Sequence, residues 1–253
     1  MASAMAVPSL ESVITIENTT EWVQKGWADF KSAPGVSLLY GGLFVGIGYG
    51  MYFVLMAAGL GSMILPAAAS FMLIAPLMTV LLYGVSKSLH RQEPVSILEI
   101  IKDAASKSEQ LAVVGFALAF LTMAWLLLAI VIFSVFFGGT PPALDTFYAD
   151  FISQPQAPAF LVVGTAVGAV IAVAAFSVSV ISLPLIMDKE VNGIEAVIFS
   201  MAVARRHWRV MMSWAAVLVL LTACGMATFF IGLAVTVPIC GYASWHAYKQ
   251  FAD

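Results

Sequence analysis

Apolar and polar positions are segregated along this chain into long blocks. Four stretches, residues 32–86, 110–144, 151–187 and 210–248, contain no Asp, Glu, Lys or Arg. A membrane helix needs ~20 mainly apolar residues, so the first and last stretches each hold two spans and the middle pair one each. The pattern predicts an all-α polytopic membrane protein with six transmembrane helices, at about 36–59, 63–86, 110–137, 157–185, 210–227 and 229–248. Read as one helix, Val210–Ala247 would run about 57 Å, nearly twice the ~30 Å hydrocarbon core. Two helices joined by a tight turn near Gly225–Gly232 is the better reading.

The charged segments between the blocks carry a helical period. After Asn18, an expected N-cap with Glu21 three residues on, Trp22, Val23, Trp27 and Phe30 share one helix face. A second amphipathic helix starts at Pro94, a residue suited to a first turn, and groups Ile97, Leu98, Ile101, Ala104 and Ala105. A third follows Asn192, with Glu195 at the capping-box position, and aligns Ile194, Val197, Ile198 and Met201. Three cytoplasmic-face amphipathic helices, each leading into a helical hairpin, predict a pseudo-threefold repeat with units beginning near 18, 94 and 192. Residues 18–253 then form one six-helix membrane domain behind a mobile tail at 1–17, with a short extended piece at Ser12–Glu17.

Composition sharpens this picture. The chain has 253 residues, 62% hydrophobic and only 10% charged, against about 25% charged in soluble domains. A soluble enzyme, a nucleic-acid binder and a secreted disulfide scaffold are excluded. Net charge is −3, but its distribution is what informs. With the spans as placed, all eleven Lys and Arg fall on one side. The other side receives Gly59–Met63, the loop Gly138–Gln156 with Asp145 and Asp150, and the last turn. The positive-inside rule puts both termini in the cytoplasm. Met1–Asn18 lacks a basic n-region and a continuous apolar core, so no signal peptide is expected. Cys224 and Cys240 lie within spans and read as apolar fillers.

Candidate chemistry is sparse. Gly42, Gly46 and Gly50 in span one, and Gly164, Gly168 and Ala172 in span four, place small residues at i, i+4 spacing, where helix backbones approach closely. That approach is intramolecular, or it is made to a partner or a second copy. Pro76, Pro184 and Pro238 each remove a backbone donor and invite a kink, which shapes packing or builds a mid-membrane substrate site. All acidic and basic residues lie outside the expected membrane cores, which argues against an ion-coupled transporter. The core hydroxyls Ser70, Thr79, Thr122, Ser134, Thr165, Ser177, Ser179, Ser182, Thr222, Thr228 and Thr236 can bond helix carbonyls. His90, His207 and His246 form no metal-ligand spacing, and His246 reads as interfacial. Arg205, Arg206 and Arg209 beside Trp208 are either a lipid head-group site or ordinary anchoring, and Asp188 and Glu190 are available to pair with them. No catalytic, cofactor or metal signature is present.

Several stretches carry a resemblance. They are Gly26-Trp27, Ala33-Pro34 and Ser37–Gly41; Phe136–Gly139 with Pro141-Pro142; Ser179–Leu185 followed by Asp188; and Trp245–Tyr248. In this order they resemble a bacterial family of integral membrane proteins, domain of unknown function 2189, from about Trp22 to Tyr248. The resemblance implies a bacterial inner-membrane protein. Some members carry a cytochrome c oxidase label, which three histidines do not support as a catalytic role. In that family a His often occupies the place of Tyr242, so this chain loses an i, i+4 pair with His246.

The expected function is a non-catalytic accessory, assembly or scaffold component of a membrane complex, without a cofactor. Its expected partners are the lipid bilayer and another inner-membrane protein or a second copy, with no nucleic acid. The alternative is a passive transporter or pore for a small neutral or lipidic substrate, with the three prolines and the span-four serines Ser179 and Ser182 shaping the path.

Overall fold

The computed structural model describes residues 14–138 and 154–252. The expected outer loop at 138–156, with Asp145, Asp150 and Pro141-Pro142, lies almost wholly outside the described residues, as does residues 1–13 of the expected tail. The described part of that tail is held in place, because Ile14 is buried in the core.

The described chain is helical throughout, with α1 (Asn18–Ser32), α2 (Pro34–Ala57), α3 (Ile64–Met78), α4 (Val80–His90), α5 (Ile97–Ser106) and α6 (Ser108–Phe137). These are followed by α7 (Ala157–Ser179), α8 (Ser182–Asp188), α9 (Gly193–Arg206), α10 (Trp208–Ala227) and α11 (Leu233–Ala252). Five segments are long and apolar enough to cross a membrane: Pro34–Ala57, Pro66–His90, Ser108–Phe137, Ala157–Asp188 and Trp208–Ala227. The expected sixth span corresponds to α11, which is not among these five. Its composition follows from its place. Thirteen of its twenty residues are buried, and α1, α2, α4, α8 and α10 all pack on it. A helix sheathed by protein can carry Ser244, His246, Lys249 and Gln250 that a lipid-facing helix could not.

Helix starts follow local capping chemistry, with two differences from expectation. α5 starts at Ile97 rather than at Pro94, with Ser96 as its N-cap accepting the Glu99 N–H. At α1 the Asn18 side chain turns back to accept the Thr15 N–H at 2.8 Å, leaving no cap bond into the helix. Asn192 caps α9 as expected, accepting the Ile194 N–H at 2.8 Å.

The amphipathic faces differ more. On α9 the residues that pack on protein are Gly193, Ala196, Ser200, Val203 and Ala204. Ile194, Ile198 and Met201 are exposed, as are Ile97, Leu98 and Ile101 on α5. Small residues permit close helix approach while large apolar ones remain favourable in lipid, so each face finds its own medium.

Packing divides the long helices into two groups. In one, α11 gathers α1, α2 and α10; in the other, α6 packs on α3 and α7, with α9 across α6 and α7. The groups are joined through α4 and α8, both of which contact α11. The hairpin partners α2 and α3 touch only lightly, whereas α6 and α7 pack along their length. Packing therefore does not follow the threefold order of elements along the chain.

Candidate functional site

Between the two groups lies a cavity of about 550 Å³. Phe44 and Gly48 of α2, Met72 of α3, Ala172 and Phe176 of α7, Ala216 and Val219 of α10, and Val237 of α11 line it. No Asp, Glu, Lys, Arg or His is among its described lining residues. α10 packs mainly on α11, with smaller contacts to α1 and α9, so the side between α7 and α10 is left apart. Val173 and Val219, on the two facing helices, line the cavity and are also exposed. The site opens there toward the surrounding medium.

Two of the five apolar segments break on the cavity wall. α3 ends at Met78 and α4 begins at Val80, one turn beyond Pro76. Pro76 has no N–H to give the Met72 carbonyl, and Tyr40 Oη donates to the Met78 carbonyl just before the break. α7 ends at Ser179 and α8 begins at Ser182, ahead of Pro184. Here Ser200 of α9, fully buried, enters the helix ladder. Its Oγ accepts the Ile181 N–H at 3.2 Å and donates to the Ser177 carbonyl at 2.7 Å. Those two backbone groups would otherwise bond each other, so an inserted side chain together with a proline accounts for this break. α8 then runs through the centre of the core, with Ser182 to Met187 all buried.

Pro238 behaves differently. Helix α11 continues through it, and the Ala234 carbonyl that it leaves without a donor lies against Gly41. A Cβ at Gly41 would fall on that carbonyl, so only glycine lets α2 and α11 meet here.

The expected packing glycines divide accordingly. Gly42, Gly46, Gly50 and Gly164 have nothing within 4 Å of an added Cβ, so the intramolecular approach expected of them is made elsewhere, at Gly41 and at Gly26 against Ala243. Gly168 does meet a neighbour, with Trp125 3.1 Å from its added Cβ, and both Gly168 and Ala172 line the cavity.

Most core hydroxyls are spent on their own helices. Ser70, Thr79, Thr122, Ser177, Ser179, Ser182, Thr222 and Thr228 each donate to a carbonyl three or four residues earlier. Thr236 Oγ1 is buried without a partner. Of the hydroxyls lining the cavity, Tyr83 Oη lies 3.1 Å from Thr79 Oγ1. Ser244 is only 7% exposed and forms no hydrogen bond.

At the end of the bundle that carries the basic residues, polar groups are paired densely. Lys87 and Lys107 both donate to the Met187 carbonyl, at 2.6 and 3.0 Å, and both face Asp103 at 3.4 Å. Asp188 accepts from Tyr248 at 2.8 Å and Lys249 at 3.3 Å, and Glu190 lies 3.8 Å from Lys107. These acids therefore do not pair with the arginine cluster. Arg205, Arg206 and Arg209 are exposed, with Arg209 over the Trp208 ring at 5.4 Å. Beside them, burial and the charge of Arg206 hold His207 below its ordinary pKa.

His246 is not simply interfacial. Its Nε2 lies 2.9 Å from Asp29 Oδ2, which also accepts from Ser86 at 2.6 Å, tying α1, α4 and α11 together. Nearby, Tyr242 Oη and Ser37 Oγ are 2.7 Å apart. Ser200, Ser244 and Asp29 were not singled out by sequence. The available signals were an acid and a histidine in helices that meet through Gly26, and a serine on the small-residue face of α9.

The cavity walls and both breaks fall largely within one stretch of the chain that carries a known pattern. Residues 64–188 match domain of unknown function 2189, a family of predicted integral membrane proteins. The match runs from α3 to the end of α8 and is narrower than the Trp22–Tyr248 resemblance. It holds both helix breaks and the Ser179–Leu185 motif, which supplies the second break and the core segment α8. No curated protein and no solved structure matches the chain.

Proposed function

We propose that this membrane protein is a non-catalytic handler of a small neutral or lipidic molecule, which it takes into the cavity from the side between α7 and α10. One observation carries the reading: a space of about 550 Å³ with mostly apolar walls and, among the described residues, no Asp, Glu, Lys, Arg or His on its lining, within the ~300–1,000 Å³ range of small-molecule sites. Broken helices at its wall support it, because unwound backbone at membrane depth belongs where it lines a cavity. The basic end faces the cytoplasm of a bacterial inner membrane, by the positive-inside bias of the eleven Lys and Arg. The test is passive flux of small neutral solutes and exchange of labelled lipid in liposomes. Ala216→Phe, which fills the cavity from α10, should abolish the transfer that the parent protein supports while leaving thermal stability intact. Transfer by the Phe variant at parent rates would overturn the reading.

A second reading, an accessory or scaffold component of a membrane complex, is favoured by the face of Gly42, Gly46 and Gly50, which meets nothing among the described residues. It is the part of α2 most suited to a neighbouring helix.

A further inference from the structure

We infer that the cavity takes a neutral, single-headed amphiphile whose head presents a hydrogen-bond acceptor such as an alcohol or carbonyl oxygen. The head would lie at the level of the two helix breaks and the apolar body toward Phe44 and Met226. This rests on the cavity reading above and specifies its ligand.

Apart from Thr222, one turn from Met226 on α10, the polar lining residues lie together. Thr79 and Ser179 sit at the two breaks, and Tyr83 lies one turn beyond the first. Ser244 is on α11 one turn after Cys240, and α11 meets α4 where Gly241 lies against Leu82, the residue before Tyr83. The far reach of the cavity, lined by Met51, Ala68, Phe230 and Met226, is apolar. The site therefore has a polar end and an apolar end.

Ser244 decides what the polar end can read. Thr79, Ser179 and Thr222 already donate to carbonyls of their own helices. Ser244 is 7% exposed as a residue and lines the cavity, its hydroxyl makes no hydrogen bond among the described residues, and that oxygen is not sealed off. A hydroxyl on the cavity lining with its donor unspent can bond an acceptor on a ligand head. Charge is excluded from the head for the complementary reason. A phosphate, carboxylate or ammonium would enter a low-dielectric space with no counter-ion on its lining. The head is thus polar and uncharged.

The experiment uses the full chain in nanodiscs with three photoactivatable probes of equal chain length: a fatty alcohol, a fatty acid ionised at the working pH, and an alkane. Crosslinked residues are located by peptide mass spectrometry, and affinity is read by competition with unlabelled alcohol. The alcohol should label α7, α10 and α11 and bind about tenfold more tightly than the alkane, as one satisfied hydrogen bond predicts. Ser244→Ala should erase that preference, and Ser244→Thr, which keeps the hydroxyl, should restore it. Equal or tighter binding of the ionised acid, or an alcohol preference unchanged in Ser244→Ala, would overturn the inference. If Ala216→Phe still blocked labelling in that case, the cavity reading would stand and only the ligand class would fall. If no probe labelled the cavity, or Ala216→Phe did not affect labelling, the cavity reading itself would fall, and the inference with it.

Discussion

The two ends of the bundle hold together by different means. At the basic end directional bonds cross between helices: Lys87 and Lys107 cap α8, Asp188 holds Tyr248, and Asp29 joins His246 to Ser86. Large aromatics, among them Trp22, Trp214 and Trp245, are fully buried in the adjoining core. Toward the other end polar ties are fewer, among them Tyr49 Oη to the Phe229 carbonyl at 2.7 Å and Trp125 Nε1 to the Pro66 carbonyl at 3.4 Å, and the two helix groups part around the cavity. Lipid tails are as apolar as the side chains, so apolar faces gain little by leaving lipid for one another. Helices stay together where polar bonds or close small-residue contacts bind them, and where facing helices do not close up, small residues such as Ala172 and Ala216 leave the space between them.

That comparison breaks most sharply at the glycines. Gly41→Leu would drive a side chain into the Ala234 carbonyl and should cost about 3 kcal/mol or more, lowering the apparent Tm in detergent by on the order of 10 °C. Gly46→Leu, on the open face of the same helix, should leave the Tm of the isolated chain unchanged. Its effect, if the scaffold reading is right, appears as altered assembly in native mass spectrometry. Equal losses in both variants would mean that α2 does not pack as described.

A smaller effect is expected from the polar ties. Asp29→Ala leaves the Ser86 hydroxyl and the His246 ring without their shared acceptor, at a cost of ~1–3 kcal/mol, or a Tm fall of about 5 °C. Hydrogen exchange should rise at the α1–α11 contact and stay at parent levels around the cavity. A rise at both ends alike would show that they are one cooperative unit.

The smallest effect concerns pH. His207 has a buried, unpartnered Nε2 and a pKa held below 6.5 by burial and then by Arg206. A base with a depressed folded pKa binds protons more readily when unfolded, so stability is full above about 6.5 and declines as the pH falls through that value. The Tm should fall modestly between neutral pH and about pH 5, and His207→Gln should remove part of that slope. An unchanged slope in the variant would place the acid sensitivity elsewhere.

Much of the architecture was legible in the sequence because it is local. Uncharged blocks mark apolar helices, Asn192 marks a helix start, and serines and threonines within apolar helices bond their own carbonyls. Pro76 and Pro184 mark breaks for the same reason, since a missing N–H acts on the residue four positions back. The Ser179–Leu185 motif pointed to the family, and its folded role is to form a break and the buried segment α8.

What only the tertiary structure decided depends on which faces meet. Gly41 and Gly42 are neighbours in sequence, and about 100° of helical rotation separates the one against α11 from the one facing outward. The apolar stripes of α5 and α9 look like core faces, yet they point outward because lipid serves as the second apolar solvent. The near-central position of α11, the Ser200 insertion, the Asp29–His246 contact and the unpartnered Ser244 each join residues distant along the chain. Composition and periodicity report how each residue relates to its own helix. The register between helices is set by small residues and polar ties acting together, and that is a property of the assembled bundle.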